Sequence, residues 1–216
     1  MNQLQTILYN GIIFTEVSCA IVSIIFLNKV KNTYWKWFVI YLIFISIAEL
    51  FSKFGLQYLP NFRKYYYDFF IIPIEFIFLF WLYSKKSLKS NSLFYCSLIV
   101  YVIFYFLHFF NLDKIRIISS MSYTVGVFLL AIMVYLEFIK QIKSDEILNF
   151  SSNKMFYINI GVMLFYIGTL PFFALDKDLY FSDKNLWSNY FTFFLFSVNI
   201  MYLLFSASFI WGKPKP

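Results

Sequence analysis

The sequence predicts an all-α protein, a polytopic bundle of seven transmembrane helices that forms a single domain over residues 1–216. Three observations predict it. Of the 216 residues, 61% are hydrophobic and 13% are charged, about half the charged share of an ordinary soluble domain. Aromatics supply 25%, with 31 Phe and 18 Tyr, more apolar surface than one core of this size needs, so lipid has to cover the excess. The apolar residues also fall into runs of roughly 20, the length that crosses about 30 Å of hydrocarbon as a helix.

The runs lie at 7–27, 34–54, 67–84, 92–110, 117–139, 155–175 and 187–211. The first follows an uncharged MNQLQT and precedes the first lysine, Lys29. Without a basic start it does not read as a cleavable leader, so it is taken as a retained span. Its Glu16, Cys19, Ala20 and Ser23 form a small, polar stripe. The second holds Glu49 and closes near Lys53. The third is short, and Pro73 is expected to break it two residues before Glu75. The fourth carries His108 near its outer end. The fifth ends on Glu137 and Lys140. In the sixth, Gly161 and Gly168 stand one heptad apart, which predicts close helix approach, and Pro171 is expected to end or kink the span. The seventh is long, with Thr192, Asn199, Tyr202 and Ser206 recurring at helical spacing. Connections and tails are too short to hold a soluble domain.

Lysines and arginines in the connections set the expected orientation. Eleven lie on one side (Lys29, Lys31, Lys36, Lys85, Lys86, Lys89, Lys140, Lys143, Lys154, Lys213, Lys215), and seven on the other (Lys53, Arg63, Lys64, Lys114, Arg116, Lys177, Lys184). The richer side is expected inside, which places the N-terminus outside and the C-terminus inside. Trp35, Trp37, Trp81 and Trp211 then share the inner interface, and an acidic loop with Asp176, Asp178 and Asp183 faces out. The net charge of +7 does not imply nucleic acid, because the basic residues are dispersed between apolar runs rather than gathered on a face. The expected partners are membrane lipids and another membrane protein.

Ionisable groups inside a span are costly and need a reason. Glu137 has Lys140 and Gln141 at helical spacing, and Glu49 has Lys53, so both read as interfacial charge pairs. Glu16 and Glu75 have no basic residue within four positions and lie near mid-membrane. Together with Asn199 they make the candidate intramembrane polar site. One reading is a shared pocket open to the outside; the other is two separate structural carboxyls. IIFTE (12–16) and IIPIE (71–75) hint at an internal repeat. Cys19 and Cys96 read as small core residues, and one His with two Cys does not predict a metal site. No hydrolase, nucleotide-binding or redox motif is present, and no cofactor is implied.

The stretch from PIEFIFLFWLYSKK (73–86) to NKMFYINIGVMLFYIGTLPFF (153–173) resembles a set of seven-span membrane proteins of AT-rich bacteria whose activity is uncharacterised. They share a Pro–x–Glu–Phe span start and a later FYIxxGxxxFYxG span. The resemblance implies a multi-pass protein of the bacterial inner (cytoplasmic) membrane. PIEF also resembles the Pro–x–Glu–Glu/Asp motif of membrane carotenoid cyclases, but Phe76 stands where the second acid belongs, which removes that chemistry. Three functions remain. The leading one is a non-enzymatic sensor or accessory subunit acting through a partner. The others are a small transporter or channel with a midplane carboxylate site, and an intramembrane enzyme acting on a lipid or isoprenoid.

Overall fold

The computed structural model describes residues 1–56, 58–110, 121–144 and 146–213. Among them seven long helices form: α1 (Gln3–Ile25), α2 (Trp35–Phe54), α3 (60–87), α4 (Asn91–Phe110), α5 (Met121–Lys143), α6 (154–182) and α7 (Lys184–Ile210). Six carry a stretch long and apolar enough to cross a membrane, namely all but α4. In α4 the stretch counted as apolar, Asn91–Leu107, is shorter. The chain is therefore a helical, multi-pass membrane protein. The predicted start of the fifth span at residue 117 lies outside the described residues, as do Lys114, Arg116 and Lys215.

The ends of the helices have local causes. Asn2 caps α1 through a reciprocal pair, its side chain accepting from Gln5 N while the Gln5 side chain accepts from Asn2 N. Asp183 caps α7, accepting from the backbone of Asn185 and Leu186. Helix α3 starts at Pro60, where a missing N–H costs nothing.

The expected break at Pro73 and the expected end at Pro171 are corrected. Neither Pro73 nor Pro171 breaks its helix. Each follows a short segment of wide π turns, Tyr67–Ile71 before Pro73 and Met163–Ile167 before Pro171. A π turn already displaces the backbone bonds that a proline would otherwise disrupt. In an α-helix the amide missing at Pro73 would reach the Phe69 carbonyl; here Tyr105 Oη of α4 donates to that oxygen at 3.3 Å. The third span is also longer than expected, because the helix runs straight through the charged segment 62–68. Likewise α6 continues to Ser182, so the expected acidic loop at 176–183 is helix up to its last residue. Hydropathy marks only the part of a helix that sits in hydrocarbon.

Six helices close a ring, in the order α1, α2, α3, α5, α6, α7 and back to α1, while α4 packs on the outside of α3 and α5. The first and last helices run parallel along each other. Gln5 Nε2 of α1 donates to Ser188 and Thr192 of α7, and Glu16 meets Tyr202 further along. Gly161 supplies the expected close approach: a Cβ there would lie 3.4 Å from the Met201 backbone of α7. Between α2 and α3 the contact is aromatic, with Tyr41 and Phe78 stacked at 4.1 Å. Phe38 is fully buried and touches the rings of Phe205 and Phe209 of α7. Such ring pairs add about 1 kcal/mol each beyond burial. The outer surface is apolar, exposing Phe14, Ile47, Ile99, Phe128 and Phe196, as a lipid-facing surface requires. Cys19 is buried as expected; Cys96 is not, and lies exposed on α4.

Candidate functional site

The ring encloses a cavity of about 390 Å³ to which every ring helix contributes and, among the described residues, α4 does not. Glu16 of α1, Glu49 of α2 and Glu75 of α3 all line it. The sequence left open whether Glu16 and Glu75 meet in one pocket, and they do.

Each of the three carboxylates accepts a hydrogen bond from a tyrosine on a different helix. Tyr202 Oη of α7 donates to Glu16 Oε1 at 3.2 Å, Tyr67 Oη of α3 to Glu49 Oε2 at 2.5 Å, and Tyr166 Oη of α6 to Glu75 Oε2 at 3.2 Å. Tyr67 and Tyr166 both belong to the wide π turns. Widening a turn rotates the side chains within it relative to an α-helix, so these turns set where the two hydroxyls fall. Ser46 Oγ of α2 donates to the Glu16 carbonyl at 3.2 Å and ties α1 to α2 beside the carboxylate.

Charge is uneven along the cavity. Lys53 and Arg63 line the end formed by the last turn of α2 and the first turn of α3. Arg63 Nε donates to Ser52 Oγ at 2.9 Å, and its guanidinium stands 5.9 Å from the Tyr67 ring centre. Glu49 lies at this basic end, whereas Glu16 and Glu75 lie near the middles of their helices. No ion pair joins Glu49 to Lys53, although their spacing suggested one; the Glu49 carboxylate is held by Tyr67 instead. Tyr202 stood out in the sequence among the polar residues of the last span; Arg63, Tyr67 and Tyr166 were missed, because tyrosine is common throughout the chain and Arg63 lay in an expected connection. Asp68 was missed because it is the second residue of the expected third span, where a carboxylate reads as interfacial. It is buried, and its carboxyl oxygens accept no hydrogen bond among the described residues.

Asn199 does not join the cavity lining. Its Nδ2 donates to the carbonyls of Leu8 at 3.1 Å and Leu195 at 2.7 Å, and Thr15 Oγ1 donates to its Oδ1 at 3.1 Å. It joins α7 to α1 opposite Gly11, where a Cβ would fall 3.1 Å from Asn199 Oδ1. Asn199→Leu is expected to destabilise the folded bundle by about 1 kcal/mol, the usual scale for an interhelical hydrogen bond in lipid, measured by titrating the protein from mild detergent into SDS. An unchanged midpoint would contradict this structural role.

Glu137 lies at the other end of the bundle, buried in a small network. Ser87 Oγ donates to it at 2.6 Å, Gln141 Nε2 at 3.0 Å, and Lys140 Nζ stands 3.5 Å away. The side chain of His108 lies outside those described.

Fold and cavity together define a class: a polytopic membrane helix bundle with a carboxylate-lined centre. No family model, curated protein or solved structure matches the chain.

Proposed function

We propose that this protein is a small seven-span carrier of the bacterial inner membrane, with its N-terminus outside, that binds a small organic cation in the central cavity. One observation carries the reading: three carboxyls from three helices line one cavity. A carboxylate has about four lone-pair sites, and each of these side chains accepts one hydrogen bond from a tyrosine. Acceptor capacity therefore remains, and the ligand that satisfies it is a cation with N–H groups or with C–H groups polarised by a quaternary nitrogen. The aromatic walls, among them Tyr9, Phe165, Tyr166, Phe191 and Tyr202, suit the hydrocarbon body of such a ligand and attract its charge. The volume falls in the usual range for a small-molecule site. A central cavity lined by carboxyls supports the carrier over the accessory subunit, which needs none.

The seven-span topology rests on α4 crossing as the fourth span. Its support is the parallel course of α1 and α7, which an odd number of crossings gives. The outside location of the N-terminus rests on the lysine bias.

The test is uptake into proteoliposomes of tetraethylammonium and 1,4-diaminobutane, with benzoate as the anionic counterpart. At least one cation is expected to accumulate above protein-free liposomes, and benzoate is not. Uptake of benzoate alone, or of none of the three, would sink the proposal.

A further inference from the structure

A second pocket of about 300 Å³ lies at the opposite end of the bundle, where α3, α5 and α7 end and α2 and α6 begin. Its volume corresponds to roughly ten waters. Five lysines line it: Lys86, Lys89, Lys140, Lys154 and Lys213, against one carboxylate, Glu137. That carboxylate is already engaged by Ser87, Gln141 and Lys140. Of the other side-chain acceptors in the lining, Asn153 Oδ1 takes the Met155 amide and Ser87 Oγ takes Lys140 Nζ at 3.0 Å. Donors and positive charge are in surplus here, the reverse of the central cavity.

Four details show that the surplus is built in. Lys154 is buried; its Nζ donates to the Ser208 carbonyl at 2.7 Å and lies over the rings of Phe209 and Trp35 at 4.7 and 5.8 Å. Trp35 is itself 2% exposed and lines the pocket, yet its indole N–H has no acceptor among the described residues. A buried donor of that kind costs about 1–3 kcal/mol until it is satisfied. Lys89 adopts a φ of 55°, at the helix end where glycine is the usual residue; a lysine there bears strain and places an ammonium on the pocket. Lys213 is held in place by its amide, which donates to the Ser152 carbonyl at 2.8 Å beside the Asn153–Lys213 bridge.

We propose that this pocket binds a phosphate oxyanion, presented by an anionic lipid headgroup or as free phosphate. The oxyanion supplies what the lining lacks, namely negative charge for the lysines and an acceptor for the Trp35 indole. Basic pockets between helices at a membrane surface are a recurrent form of lipid headgroup site. The proposal is independent of what the central cavity carries.

The experiment follows thermal unfolding of the full chain in a neutral detergent. Three additives are titrated: dihexanoylphosphatidylglycerol, dihexanoylphosphatidylcholine and inorganic phosphate. The phosphatidylglycerol is expected to raise the midpoint, and less so at high salt. A shift with the phosphatidylglycerol but not with inorganic phosphate assigns the lipid headgroup. A shift with both assigns the oxyanion alone. No shift with either, or an equal shift with the zwitterionic lipid, overturns the site. The double variant Lys89→Gly/Lys213→Gln keeps the fold, since Lys213 is exposed and glycine relieves the left-handed backbone at position 89. It should need at least about tenfold more ligand for the same shift. An unchanged dose response would place the binding elsewhere and overturn the assignment.

Discussion

Glu75→Gln is expected to cut the uptake of an organic cation by about thirtyfold while the bundle stays folded. The amide has the volume of the carboxyl and its oxygen can still accept from Tyr166, whose hydroxyl lies 3.2 Å from Glu75 Oε2. What disappears is the negative charge that the carboxyl presents to a bound cation. A hydrogen bond to a charged partner stabilises by about 1.5–3 kcal/mol, and a middle value of about 2 kcal/mol is roughly thirtyfold in affinity. The same change at Glu49 should do less. Lys53 and Arg63 line the cavity at that end and already offset part of its charge. The measurement is the initial rate of uptake for both variants, together with their unfolding midpoints. Wild-type uptake by Glu75→Gln would remove Glu75 from the path. Equal losses in the two variants would show that the basic end offers no offset.

A second large effect should come from Gly126 in α5, a residue whose neighbour is an aromatic ring. A Cβ at this position would sit 2.8–2.9 Å from three ring carbons of Phe76. Phe76 has no room to retreat. It is fully buried, with the rings of Tyr101, Tyr123 and Tyr166 at 5.4, 5.6 and 5.6 Å. Gly126→Val therefore overpacks a closed aromatic cluster and should destabilise the protein by about 3 kcal/mol. A smaller residue at position 76 restores the space, so Gly126→Val/Phe76→Leu should be less destabilised than the sum of the single changes by at least about 1 kcal/mol. SDS titration of the four proteins gives the cycle. Strict additivity would mean that the two residues do not press on each other.

Membrane class, helix positions and the placement of Glu16 and Glu75 inside the bundle were legible in the sequence, because hydropathy and the cost of a buried charge act residue by residue. Pairing was only partly legible. Glu137 and Gln141 meet within one helix at fixed spacing, and that was readable. Glu49 and Lys53 have the same spacing, but Tyr67 from the next helix wins the carboxylate, and nothing in the sequence marks that tyrosine among 18. The prolines misled for a related reason. Their effect depends on whether the preceding turn is already wide, a property of packing. Asn199 looked functional because a polar residue in lipid demands an explanation; three hydrogen bonds to α1 and within α7 supply one.

The closing of the ring by α1 and α7 has a consequence for biosynthesis. Glu16 and its partner Tyr202 are separated by 186 residues of chain. At about 5–20 residues per second, the ribosome needs on the order of 10–40 s to make the second after the first. Throughout that interval the first helix is already made while the hydroxyl that will hold its carboxyl is not. A protein with this architecture completes its centre last, so nascent chains stalled before the final helix are the ones most exposed to membrane quality-control proteases.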